Sequence, residues 1–250
     1  MEFKTYTEEE FEEKVMDWFS SRAKEPESLE PYTGAIEQAI QDMEEKYGLE
    51  IDFKVVIAET SIEKLETQFD EKIPRIAYTN GMGLSEELYE VDKDSVFLRT
   101  NKETDFWEGD LKSVAVHELA HLKFFENREL GSSIYEHILF EGHAMHIEKR
   151  IAKENNYETE FYHESKTDID KEELKKDLDK KRSWNEPQSS EVSTIFKPEG
   201  EKWLNAEGYP IAYQITAQIL DQEEIEIEQL LEYEKSEWRQ KVDKAVEEIY

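Results

Sequence analysis

The sequence predicts an α+β fold: a mostly helical single domain with a small, mostly antiparallel sheet. Three observations lead there. Apolar residues recur at helical spacing near the start and again from about residue 110 almost to the end, the segments that read as strands fall between residues 51 and 100, and no Gly/Ser-rich or Pro-rich linker or internal repeat divides the 250 residues.

Each element has a local reason. Thr7 followed by Glu10 reads as a capping box, and Phe11, Val15, Trp18 and Phe19 follow at helical spacing, so residues 8–24 are expected to be a helix. A second helix is expected over 32–47, with Ile36, Ala39, Ile40 and Met43 as its buried stripe and Gly48 as a left-handed stop. IDFKVVIA, 51–58, reads as a strand, and 61–70 as a helix. RIAYTNGMGL, 75–84, reads as an extended segment ending in an Asn-Gly turn, and SVFLRT, 95–100, as a further strand. The polar stretch 166–182 reads as a solvated helix or a mobile excursion without chemistry. PIAYQITAQIL, EIEIEQLLEYE and SEWRQKVDKAVEEIY read as closing helices. In outline, N-terminal helices fill 1–50, a small sheet with one helix 51–100, a helix pair 107–155, the polar excursion 166–182, and closing helices 199–250.

Composition narrows the function classes. Acids number 62 against 31 bases, a formal net charge of -31. Such a surface repels phosphate backbones and anionic membranes, so neither nucleic acid nor membrane is an expected partner. The acidity fits adaptation to high salt, or mimicry of a polyanion such as DNA; acids spread through the whole chain favour salt adaptation, a halophilic reading. There are no cysteines, which excludes disulfides and thiolate metal sites. The N-terminus has no secretory pattern and no run approaches the ~20 apolar residues of a membrane span, so a cytoplasmic, soluble protein is expected.

VAVHELAHLKFF, 114–125, is the most informative stretch. His117, Glu118 and His121 interrupt an apolar helix as H-E-x-x-H. Residues i and i+4 lie one turn apart on one face, so two imidazoles can grip one ion while the intervening Glu sits beside them. With 6 histidines in the chain, chance would give about 0.03 such matches. The flanks Val114, Ala115, Val116, Leu119, Leu122, Phe124 and Phe125 leave little polar surface, and burying three ionisable groups there costs several kcal/mol unless a metal and its surroundings offset it. Such an ion, zinc by donor type, needs a third protein ligand and keeps a fourth position for water.

Glu141 is the candidate for that third ligand. Ser133 and Glu136 read as a capping box that opens the helix SIYEHILFEGHAMHIEKRIAKE. In an antiparallel helix pair Glu141 lies about 12 Å into the second helix, while His121 and His117 lie about 6 and 12 Å from the end of the first. Glu141 shares its face with Ile134, Ile138 and Met145, an acid on an apolar stripe. His137, one turn before it, is a candidate for orienting a ligand or lining a cleft; His143 and His146 point away and read as bystanders.

His117-Glu118-x-x-His121 followed after nineteen residues by Glu141 resembles the gluzincin metallopeptidases, the thermolysin-like enzymes. More closely, IPRIAYTNG, VAVHELAHL, ILFEGHAMH and AYQITAQIL together resemble a family of predicted zinc-dependent proteases found in salt-loving archaea and bacilli, over residues 73–220. The resemblance implies one zinc ion on His117, His121 and Glu141, Glu118 as general base and then proton donor to the leaving amine, and a peptide or protein substrate. It also implies a Tyr or His that stabilises the oxyanion, for which Tyr213 is the first candidate and Tyr209 and His163 the alternatives. Gluzincins align substrate against an exposed edge strand, and residues 75–79 or 96–100 are the expected edge. Two other readings stay open on the residues alone: a non-catalytic metal-binding or peptidase-like interaction module, and an acidic nucleic-acid mimic.

Overall fold

The computed structural model describes residues 2–7, 21–50, 52–67, 73, 75–84, 94–161, 169–182, 192–193 and 208–250. The chain forms two compact units, one of residues 1–123 with 148–160 and the other of residues 124–147 with 161–250. Among the described residues no helix is long and apolar enough to cross a membrane.

The first unit holds the sheet. Its strands are β1 (Glu2–Thr5), β2 (Ala23–Lys24), β3 (Lys54–Thr60), β4 (Asn80–Leu84) and β5 (Ser95–Thr100), in the order β1-β3-β5-β4 with β2 also on β3. The sheet is mixed: β3 runs parallel to β1 and β5, whereas β2 on β3 and β4 on β5 are antiparallel. The parallel pairing suits the composition of β3 and β5, which are buried almost throughout, as strands covered on both faces must be. Of the two expected edges, 96–100 lies in β5 between two partners, and Arg75–Ala77 forms a short 3-10 turn. The described edge of the sheet on that side is β4 itself.

Asn80-Gly81, read from sequence as a turn, lies inside β4, with Asn80 opposite Arg99 and Gly81 opposite Leu98. The reason is tertiary. A glycine in a strand marks a close approach as often as a turn, and here a helix side chain presses on it.

Helix α1 (Glu30–Tyr47) starts two residues before the expected position, with Pro31 in its first turn, and buries Ile36, Ala39, Ile40 and Met43; Gly48 closes it at φ 60°. Helix α2 (Ile62–Glu66) is capped by the Ser61 hydroxyl and is shorter than expected, with residues 68–70 outside those described. The helix expected over 8–24 does not reach its far end. Ala23 and Lys24 pair with Thr60 and Glu59, and the Ala23 side chain is fully buried against the sheet; residues 8–20 are outside those described.

Helix α3 (Trp107–Asn127) is fixed at its start by Asp110, whose carboxylate accepts two hydrogen bonds from Arg75 at 2.8 and 2.9 Å and one from Thr159 at 2.8 Å. An acid in the first turn also complements the helix dipole. Near its other end Lys123 donates to the Gly48 carbonyl, 3.0 Å away, at the close of α1.

Among its described residues the second unit is mostly helical, with the two-residue pair β6 (Lys181–Arg182) and β7 (Val192–Ser193) and a single antiparallel bridge between Ser133 and Lys181. Helix α4 (Ile134–Glu154) contributes its first two-thirds to this unit. Helix α5 (Lys171–Leu178) lies in the polar stretch, but it is no purely solvated feature: Asp170 caps it, and Leu174 and Leu178 are fully buried. Helix α6 (Gly208–Glu223) and helix α7 (Lys235–Ile249) are the first and last closing helices, and between them Ile227–Glu232 is a 3-10 turn instead of the expected α-helix. Trp238 of α7 is fully buried, and its indole N–H donates to the Tyr135 carbonyl at 2.6 Å.

Candidate metal centre

Three stripes of α3 carry different work. Ser113 and His117, one turn apart, face Glu148: the Ser113 hydroxyl donates to Glu148 Oε1 at 2.6 Å, and His117 Nδ1 lies 3.0 Å from Glu148 Oε2. Val114, Glu118 and His121 recur at i, i+4 and i+7, on the flank that meets Gly81 and Gly83 of β4. The third stripe, Ala115, Leu119 and Leu122, is buried and apolar. Burial of Ser113, His117 and Glu118 on this helix is offset by the hydrogen bonds that Glu148 and Gly83 make to them.

His117, His121 and Glu141 each offer one ligand atom, and these atoms all lie within 4.8 Å of one another. His121 and Glu141 are buried and His117 nearly so. The imidazole planes of His117 and His121 stand at 89°, with ring centroids 4.7 Å apart, so the rings meet edge to face and do not stack. A group of two imidazole nitrogens and one carboxylate oxygen can bind a metal ion.

Glu118 is buried, and its Oε2 accepts the Gly83 backbone N–H at 2.6 Å. The general-base candidate therefore has a fixed direction before any ligand arrives.

Glu148 was not foreseen from sequence. It lies seven residues after Glu141 on the same continuous helix, so two turns bring both carboxylates to one face. The i, i+7 recurrence of two acids on one helix was the only trace of this in the sequence, and nothing there marked Glu148 as buried. Ser113, one turn before His117, carried the same kind of hint on α3.

The other described histidines have partners of their own. His137 Nδ1 lies 3.1 Å from the Ser133 carbonyl at the start of α4, which makes it part of that helix end. His143 is buried with its ring edge-on to Phe124, centroids 6.0 Å apart. His146 stacks flat on Tyr213, centroids 4.4 Å apart and planes 7° from parallel, and its Nε2 lies 3.1 Å from the Tyr213 carbonyl. Five residues separate His146 from Glu141, which on an ideal helix turns them about 140° apart. Tyr213 thus meets a different face of α4 from the one that carries Glu141. Tyr209 is half-buried, and His163 lies outside the described residues.

Gly142, next to Glu141, lies against α6: a Cβ there would strike Thr216 Oγ1 and stand 2.9 Å from the Ala212 carbonyl oxygen. The missing side chain lets the backbone of α4 approach Thr216 and Ala212 of α6.

Comparison with protein-family models, with curated proteins and with solved structures finds no match to this chain.

Proposed function

We propose that this protein is a zinc-dependent peptidase in which His117, His121 and Glu141 hold one ion and Glu118 is the general base. The observation that carries the reading is the approach of those three donor atoms to within 4.8 Å of one another, with a buried carboxylate in the next residue after the first of them. The donor set of two imidazoles and one carboxylate is the chemistry zinc takes in hydrolases that keep a fourth position open.

Zinc, when bound, supplies Lewis acidity to the scissile carbonyl and lowers the pKa of a coordinated water toward about 7. Glu118 takes the proton of the attacking water and delivers it to the leaving amine. Glu148 holds the His117 ring in one tautomer through Nδ1. The described sheet edge beside Glu118 is β4, whose Gly83 N–H is held by the Glu118 carboxylate. For the oxyanion, Tyr213 remains the residue to test, and Tyr213→Phe lowers kcat about a hundredfold or more if its hydroxyl serves there.

The test is metal analysis beside peptide hydrolysis. Purified protein carries about one zinc per chain, Glu118→Gln keeps the metal and loses hydrolysis, and Glu141→Ala loses the metal. Undiminished zinc in Glu141→Ala, or full hydrolysis by Glu118→Gln, overturns the reading. Bound zinc without turnover of any of a diverse set of peptides leaves a non-catalytic metal module in its place.

A further inference from the structure

The edge strand β4 carries two glycines, and both lie against the flank of α3 that bears Glu118. A Cβ at Gly81 would stand 2.6 Å from Glu118 Cγ and 2.7 Å from Val114 Cγ1. A Cβ at Gly83 would stand 3.3 Å from the Glu118 carbonyl oxygen, 3.4 Å from Glu118 Oε2 and 3.6 Å from His121 Cβ. Any side chain at 81 must therefore push Glu118 or Val114 aside, whereas one at 83 forces only a small adjustment.

The strand also supplies a donor. In an antiparallel pair every second residue turns its N–H away from the partner strand, and Gly81 and Gly83 share that phase. The Gly81 N–H meets Asn80 Oδ1 at 2.8 Å and the Gly83 N–H meets Glu118 Oε2 at 2.6 Å. A glutamate has three side-chain torsions to fix, and a carboxylate left to rotate spends little time aimed at a reacting atom.

We propose that Gly81 and Gly83 are positioning residues for Glu118. The bare backbone at 81 lets α3 settle onto the strand, and the N–H of 83 fixes the direction of the carboxylate. The effect on rate rests on the peptidase reading; the hydrogen bond itself can be read without it.

The experiment uses the full chain loaded with zinc. Amide hydrogen exchange at Gly83, followed residue by residue, accelerates about tenfold or more in Glu118→Ala relative to wild type. Gly81→Ala keeps its zinc and a KM within about twofold of wild type while kcat falls about tenfold or more, a split that general loss of folding does not produce. If Gly81→Ala does not fold, Gly83→Ala is measured in the same way, with a smaller fall in kcat expected. Unchanged exchange at Gly83 in Glu118→Ala overturns the proposal, and so does wild-type kcat in the folded alanine variant. A wild type that binds zinc and cleaves nothing defeats the peptidase reading alone; the Gly83 exchange then still supports or overturns the hold on Glu118.

Discussion

His117 Nδ1 lies 3.0 Å from Glu148 Oε2, while the other oxygen of that carboxylate accepts the Ser113 hydroxyl at 2.6 Å. An ionised carboxylate only accepts, so Nδ1 must carry the proton and Nε2 the lone pair. The pair thereby selects the tautomer and ring angle a metal ligand requires. Glu148→Gln is expected to weaken zinc binding about 10- to 100-fold, measured by competition with a chromophoric chelator. Wild-type affinity in that variant would show that His117 needs no such partner.

The close approach at Gly142 gives a prediction about stability. In Gly142→Ala the new methyl meets Thr216 Oγ1 and the Ala212 carbonyl oxygen. The cost is about 1–3 kcal/mol, seen as a lower denaturant midpoint at constant slope. Adding Thr216→Ala recovers only part of it, because the Ala212 carbonyl remains in the way.

Glu59 links the first unit to pH. It accepts from the Tyr32 hydroxyl at 2.7 Å and the Lys24 ammonium at 2.9 Å. Burial alone would raise its carboxyl, but the hydrogen bonds from Lys24 and Tyr32, together with the charges of Lys24 and Lys102, hold it below the usual carboxylate range. A lowered folded value stabilises above the unfolded value of about 4.3, and that stability is lost as pH falls through the folded value. Thermal midpoints measured from about pH 6 down to pH 3 should therefore drop less steeply in Glu59→Gln than in wild type. Parallel curves for the two proteins would remove Glu59 from the acid response.

Trp238 anchors α7 within the second unit. It is fully buried, and its N–H satisfies the Tyr135 carbonyl. Trp238→Ala is expected to cost about 3–5 kcal/mol, and Trp238→Phe less, because it keeps most of the apolar volume and forfeits mainly the hydrogen bond. Equilibrium unfolding of the two variants separates these contributions.

Some of this was legible in the sequence. The apolar stripe of α1 and its Gly48 stop depend only on neighbours along the chain, and both are found where local spacing puts them. His117, His121 and Glu141 stood out because ionisable groups on apolar helix faces are costly without a shared purpose, and their donor atoms do come together. Other features depend on distant partners. Asn80-Gly81 has the local chemistry of a turn, yet the demands of Glu118 and Val114 make it part of a strand. Ala23-Lys24 follows a helical pattern, yet the open edge of β3 claims it. The parallel alignment of β3 and β5 left no mark in either segment alone. Glu148 looked like one more surface acid in a chain with 62 of them, until Ser113 and His117 gave it two hydrogen bonds.

Helix α4 carries Glu141 and Glu148 on one face solely because the count between them equals two turns. Inserting or deleting a single residue in 142–147 swings one carboxylate about 100° away from the other, whatever residue is chosen. Length in that interval therefore matters to this arrangement in a way that the identity of many of its side chains does not, and one inserted alanine would part the two carboxylates while leaving every charged group in place.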